Sequence, residues 1–319
     1  MPPTRPHGSE PATFGGPGFQ HRSGDHQQEL GSTWATCGVN AEWTPLQSVT
    51  LAWPGEELCR NDDPNSWLML DWPNLDTIRR QAEGIIAFFE QRQITVHLIK
   101  PKAPPPPNFL FQRDLYWMTP SGAMMARMGA AQRAGEEPHM ALGLSQIGVP
   151  IVASPLGNAT VEGADALWLD PETVLVGTGM RTNAEGLETV STLAKQHNAS
   201  TIPIPLPAGI QHLLGVINFL DKDRVAIWEG RTPQALIDVL QERNVRCLVL
   251  PDGPEMRTGR AMNWVCLGPR AVVMPSNCPK TKDILVHEGI SVDSLDVSSY
   301  IQAGGGLGCL TGIAGRQAQ

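Results

Sequence analysis

The sequence predicts a single α/β domain in which five ββαβ-type repeats close around a central channel. Three observations point there. One rhythm of strand, polar turn, strand, helical stretch and short strand recurs five times along the chain. The repeats follow one another at roughly forty to fifty residues, near the range of closed repeat architectures. Hairpins within each unit disfavour the rival doubly wound sheet, whose strands would run parallel.

The opening stretch, "MPPTRPHGSEPATFGGPGFQHRSGDHQQELG", is polar, rich in Pro and Gly, and has no apolar h-region. Residues 1–33 therefore read as a disordered leader and not as a secretory signal, leaving 34–319 as one domain. Two loose copies of the unit come first. "WTPLQSVTLAWPG" leads to "LDTIRRQAEGIIAFFEQRQ" and "ITVHLIK", and "RDLYWMTPSGAMMARMG" leads to "MALGLSQIG" and "VPIVASP". Ile78, Ile85, Ile86 and Phe89 lie at helical spacing in the first of these. The third copy is plainest: "ADALWLDPETVLVGTG" turns at Asp170-Pro171, then "EGLETVSTLAKQH" reads as helix and "ASTIPIPL" as strand. The fourth runs "HLLGVINFLDKDRVAIWEG", "TPQALIDVLQERN", "VRCLVLPD", and the fifth "MNWVCLGPRAVVMP", "TKDILVHEG", "ISVDSLDV". "KAPPPPN" reads as a stiff connection into the second unit. Trp117, Trp168, Trp228 and Trp264 fall on expected strands and read as core.

Composition narrows the function. The chain has 319 residues, 41% of them hydrophobic and 18% charged, enough for a large buried core. A net charge of −8 argues against a nucleic-acid binder, while a mildly negative surface helps draw in a cation. No apolar run reaches the twenty or so residues of a membrane helix. Six cysteines without a CxxC pair, at Cys37, Cys59, Cys247, Cys266, Cys278 and Cys309, suit a reduced cytoplasmic protein better than a disulfide framework or a zinc site.

Four places interrupt the apolar rhythm with polar residues. In "NFLFQRDLYWM", Arg113 and Asp114 stand side by side where a strand begins, either as a surface ion pair or with Asp114 turned inward to meet a cation. In "VEGADALWL", Glu162 and Asp165 precede a buried strand. They are either solvated turn acids or carboxylates that orient a histidine or hold a guanidinium. In "QHLLGVINFL", His212 opens an apolar strand. A lone histidine there is often structural, yet cysteine catalysis needs an acid or base brought near it by the fold. The other histidines lie in the leader (His7, His21, His26), in or beside helical stretches (His139, His197, His287) or in a short strand (His97), which leaves His212 as the best partner. The fourth place is "GGGLGCLTG", where glycines leave the Cys309 thiol uncrowded and could present backbone N–H groups. Asn263 opens the last unit as a further candidate for the channel wall. The nearby GxG patterns lack the strand–turn–helix setting of a dinucleotide fingerprint.

Taken together these segments resemble the guanidine-modifying, or pentein, superfamily of arginine deiminases, dimethylarginine dimethylaminohydrolases and amidinotransferases. The likeness covers about residues 38–312 and implies a five-bladed α/β propeller. "NFLFQRD" is similar to the family's N-x-x-F-x-R-D, implying that Asp114 contacts a guanidinium. "VEGADAL" resembles E-G-G-D-V-L, implying that Glu162 supports the histidine and that Asp165 helps hold the cationic nitrogens. "ARMGAAQRAGEE" and "GMRTNAEG" are similar to segments whose arginines read a substrate carboxylate, here Arg133 and Arg181. "HLLG" and "GGGLGCLTG" match the histidine and nucleophile segments, implying His212 as acid–base and Cys309 as nucleophile.

Two positions depart from the pattern. Ala164 replaces a glycine, which would cost about 1 kcal/mol if that position needed φ > 0. Leu214 stands where deiminases and amidinotransferases carry the aspartate of H-x-D, and dimethylarginine dimethylaminohydrolases also lack that acid. The resemblance thus implies a cysteine hydrolase acting on an N-substituted arginine or related guanidino acid, with no metal or organic cofactor. Amidinotransferase, arginine deiminase and a catalytically silent binding pentein are the alternatives. Homodimers are common in the superfamily, and no interface signal stands out in this chain.

Overall fold

The computed structural model describes residues 10–319. Of the expected leader, residues 1–9 lie outside the described residues. Residues 10–33 run as mostly exposed turns, tied to the body where the His26 ring donates to the Ser121 carbonyl at 2.7 Å.

The first unit contains β1 (Leu46–Ala52), α1 (Leu75–Gln91) and β2 (Thr95–Ile99). The second has β3 (Tyr116–Thr119), β4 (Gly122–Met125), α2 (Glu136–Gln146) and β5 (Ile151–Ala153). The third has β6 (Ala166–Asp170), β7 (Thr173–Thr178), α3 (Ala184–Lys195) and β8 (Ser200–Pro205). The fourth has β9 (Ile217–Asp221), β10 (Arg224–Trp228), α4 (Gln234–Glu242) and β11 (Arg246–Leu250), followed by the short α5 (Pro254–Arg257). The fifth has β12 (Val265–Gly268), β13 (Ala271–Pro275), α6 (Pro279–His287) and β14 (Ser291–Leu295). After it come α7 (Ser298–Ala303), α8 (Leu307–Leu310) and β15 (Gly312–Arg316).

These strands form five three-stranded sheets. In units two to five an antiparallel hairpin is followed by a helix, and a third strand then pairs parallel to the second. Local chemistry sets these elements. Asp170 closes the β6–β7 turn by accepting from the Glu172 N–H at 2.9 Å. Asn74 caps α1 by accepting from Thr77 N–H at 3.0 Å, and the helix then buries Ile78, Ile85 and Phe89 on one face. Burial of each such side chain contributes about 1.5–3 kcal/mol.

The first unit differs because its hairpin partner comes from the other end of the chain. β15 pairs antiparallel with β1, setting Gly312 opposite Thr50, while β2 pairs parallel with β1 on the other side. The residues after Cys309 thus close the ring. Gly312 is required there, since a Cβ would sit 2.2 Å from Thr50 Oγ1. First strands such as β3 and β15 are buried throughout, whereas third strands such as β2 and β14 are half-exposed, so the first strands line the channel.

Each inner strand is entered through a short turn, and the polar residues sit in those turns. Asp114 precedes β3, Glu162 precedes β6, His212 precedes β9, Asn263 precedes β12 and Cys309 precedes β15. The turn ahead of the inner strand, used five times, brings two carboxylates, an imidazole, an amide and a thiol to one end of the channel.

Candidate active site

A cavity of about 500 Å³ opens at that end, and Asp114, Arg133, Arg181, His212, Leu214, Asn263 and Cys309 all line it. Asp114, Glu162 and His212 each offer an atom within 4.8 Å of the others. Glu162, fully buried behind the cavity wall, holds the His212 ring through Nε2 at 2.6 Å. The other ring nitrogen, Nδ1, lies 3.7 Å from Asp114 Oδ1, an oxygen that is buried and has no hydrogen-bond partner among the described residues. Burial alone would lower the pKa of His212, but the carboxylates of Asp114, Glu162 and Asp165 outweigh it and raise it to about 9. The ring is therefore an imidazolium at neutral pH.

Glu162 stays ionised. Burial pushes its carboxyl up, and His212, Arg133 and Arg181 together pull it well below the usual carboxylate range. Its Oε1 accepts from Gly129 N–H at 3.0 Å and from Arg181 Nη1 at 3.2 Å.

Cys309 lies in α8, and Asn263 holds it at two atoms. Asn263 Oδ1 accepts from the Cys309 backbone N–H at 2.9 Å, and Asn263 Nδ2 donates to the sulfur at 3.0 Å. The glycines before the cysteine permit this approach: Gly304 adopts φ +125°, and a Cβ on Gly306 would come within 2.9 Å of the Asn263 side chain. Burial pushes the Cys309 thiol above its ordinary value and Asp114 adds to that, against the opposing pull of Asn263 and Arg260.

Several sequence expectations change. Arg133 does not face outward to read a carboxylate. Its five N–H groups are all committed to protein: to Glu136 at 2.9 and 2.8 Å, Asp114 at 2.7 Å, Glu162 at 3.5 Å and the Asn108 carbonyl at 3.4 Å. A fully buried guanidinium pinned this way organises the acids around it. Asp165 does not line the cavity. It accepts from the Leu213 N–H at 2.9 Å and the Thr182 hydroxyl at 2.7 Å, so it positions the backbone next to His212; burial raises its carboxyl to about 6. Ala164 is not among the positive-φ residues, so its replacement of glycine carries no backbone strain. Arg113 forms no surface ion pair, because it pairs at 2.8 Å with buried Glu42. Trp228 is only half-buried: it packs against the core of the fourth and fifth units and also lines the cavity.

Arg181 is only partly consumed by protein contacts. It reaches Glu162 through Nη1 alone and leaves Nε and Nη2 without a hydrogen-bonded protein partner among the described residues. Leu214 presents an apolar wall beside His212. Sequence reasoning undervalued Asn263; the register of the repeat, which places a polar residue ahead of every inner strand, was the signal for it.

The family model described as arginine deiminase matches residues 74–237, just over half of the chain. Among curated proteins, an uncharacterized protein of Aeropyrum pernix is 30% identical over 190 residues, which span 59% of this chain and 66%, just under two thirds, of that protein. The N(G),N(G)-dimethylarginine dimethylaminohydrolase of Pseudomonas aeruginosa is 24% identical over 64% of this chain and 76% of its own length. A structure of the Pseudomonas aeruginosa enzyme with citrulline superposes with a TM-score of 0.69 at 20% identity, covering 84% of this chain and 99% of that one. An amidinotransferase of saxitoxin biosynthesis from Microseira wollei gives 0.71 at 14% identity, covering 89% and 98%. These structural likenesses establish the pentein fold.

Proposed function

The chain belongs to the arginine deiminase family, and on that premise we propose that it is a cysteine-dependent hydrolase cleaving a C–N bond of a substituted guanidino acid. The observation that carries this reading is Asp114 Oδ1, a buried, unpartnered acceptor beside His212 in the cavity that also holds Cys309. A guanidinium N–H placed there supplies the missing donor and brings a positive charge toward the sulfur.

The chemistry follows from the charges. The bound guanidinium lowers the thiol pKa, the Cys309 proton passes to solvent, and the thiolate adds to the guanidinium carbon. His212, already protonated, gives its Nδ1 proton to the departing nitrogen, so the C–N bond breaks and an amine leaves. The product is an S-alkylthiouronium on Cys309. His212, now neutral, takes a proton from water as the water oxygen adds to the same carbon. The C–S bond then breaks and the added hydroxyl yields its proton to the sulfur, so a ureido compound leaves and Cys309 is a thiol again, with His212 already an imidazolium. Glu162 keeps Nε2 occupied throughout, so Nδ1 alone exchanges protons with the substrate. Leu214 supports a substituted nitrogen, because an alkyl group packs against it where a second carboxylate would grip a bare N–H. Arg181 would receive a carboxylate at the far end.

The test is stoichiometry. With water as the only acceptor, one equivalent of amine and one of ureido product are expected from an N-substituted guanidino acid, and none from Cys309→Ser. Turnover that requires an added amine would move the reading to amidino transfer.

A further inference from the structure

The cavity has a charge pattern that hydrolysis does not require. Asp114 is the one acidic residue among those lining it, whereas the fully paired Arg133 and also Arg181, Arg231, Arg257 and Arg260 join it on the wall. Arg257 is neutralised by Asp252. Arg231 donates to the Gly209 carbonyl at 3.2 Å and lies 5.2 Å from the Trp228 ring centroid, and Arg260 has no side-chain hydrogen bond; neither has a carboxylate partner among the described residues. Arg260 and Cys309 line the same cavity, so a ligand bound there meets both. The Arg260 carbonyl accepts from the Asn263 N–H at 2.8 Å, which fixes the turn carrying both residues.

Two unpaired guanidiniums in a concave wall attract anions and repel cations. An amino-acid substrate would place its α-ammonium among them with no acid left to receive it, since Asp114 is taken by the guanidine. We propose that the substrate is a guanidino diacid: its far end carries two anionic groups, divided between Arg181 and the Arg231–Arg260 pair, and no free ammonium. This rests on the guanidine-hydrolase reading for the position of the near end.

A matched series with one guanidine tests it. Dimethylarginine and its Nα-acetyl and Nα-malonyl derivatives successively remove the ammonium and then add a second carboxylate. Calorimetric titration into Cys309→Ser, which cannot complete the reaction, reads recognition alone. Affinity should rise along the series, at least tenfold from the first to the last. Adding Arg260→Gln or Arg231→Gln should weaken the malonyl compound at least fivefold and the acetyl compound less than twofold. Equal binding of all three, no binding by any, or an equal loss for all three in the arginine variants would overturn the proposal. Tight binding of the malonyl compound without any amine or ammonia released by the native protein would instead sink the hydrolase reading and leave this one standing.

Discussion

The floor and the mouth of the cavity are built on opposite principles. At the floor, Arg133 has every N–H committed, Glu162 meets His212 and two arginines, and Asp114 keeps one oxygen open. At the mouth, Arg231 and Arg260 have no ionic partner and retain contact with solvent. A buried charge must be paired, so the floor is rigid and bound up with stability. A charge at the rim is cheap to leave unpaired and free to choose a ligand. The floor decides which bond reacts, and the mouth decides which molecule arrives.

The sharpest way to break this contrast is to remove one member of each region. Arg133→Met strands Asp114 and Glu136 in the interior and should cost about 3–5 kcal/mol of stability. Arg260→Gln should stay within about 0.5 kcal/mol. Urea unfolding of the two variants measures both, and equal losses would abolish the distinction.

Protonation gives the next largest effect. The folded-state pKa of His212 is raised to about 9, above an ordinary value of about 6.5. Its contribution is therefore complete below about pH 6.5 and is lost as the pH rises through 9, on the order of 3 kcal/mol in all. The urea midpoint should fall across that window in the native protein and much less in His212→Gln. Amine release should decline over the same alkaline limb as the leaving group loses its acid.

Asn263→Ala tests how the floor holds its nucleophile. Loss of both contacts to Cys309 should lower kcat about tenfold while costing about 1 kcal/mol of stability, read from steady-state rates and urea unfolding together. The smallest effect crosses between the regions. Iodoacetamide should alkylate Cys309 of the free protein at a rate still climbing at pH 9, because the thiol lies above its ordinary value of 9.0. Arg260→Gln should slow that reaction about twofold at fixed pH, since a neighbouring cation is lost.

The sequence made parts of this legible for physical reasons. Repeats, hairpins and amphipathic helices are local, so units two to five could be read from turn chemistry and apolar spacing. The closing strand could not, because pairing of Thr50 with Gly312 joins the two ends of the domain and leaves no local trace. Asp114, Glu162, His212 and Cys309 broke apolar runs and were visible as interruptions. Arg133 came only from the resemblance, and nothing in "AAQRAGEE" reveals that its own Glu136 and two acids from other turns consume the guanidinium. Nothing in the sequence around Arg231 and Arg260 sets them apart from ordinary surface cations. Only the fold places them on the same cavity wall, with no carboxylate partner among the described residues.

One measurement bears most directly on the central claim that Cys309 forms a covalent bond to a guanidine carbon. Native protein and Cys309→Ser would be mixed with a dimethylated and an unsubstituted guanidino acid, quenched in acid within the first turnovers, and weighed intact. The account predicts a mass increase equal to the substrate less its leaving amine, confined to the native protein and mapped to Cys309. Amine release that survives Cys309→Ser, or an adduct on Cys37 or Cys278 instead, would contradict it.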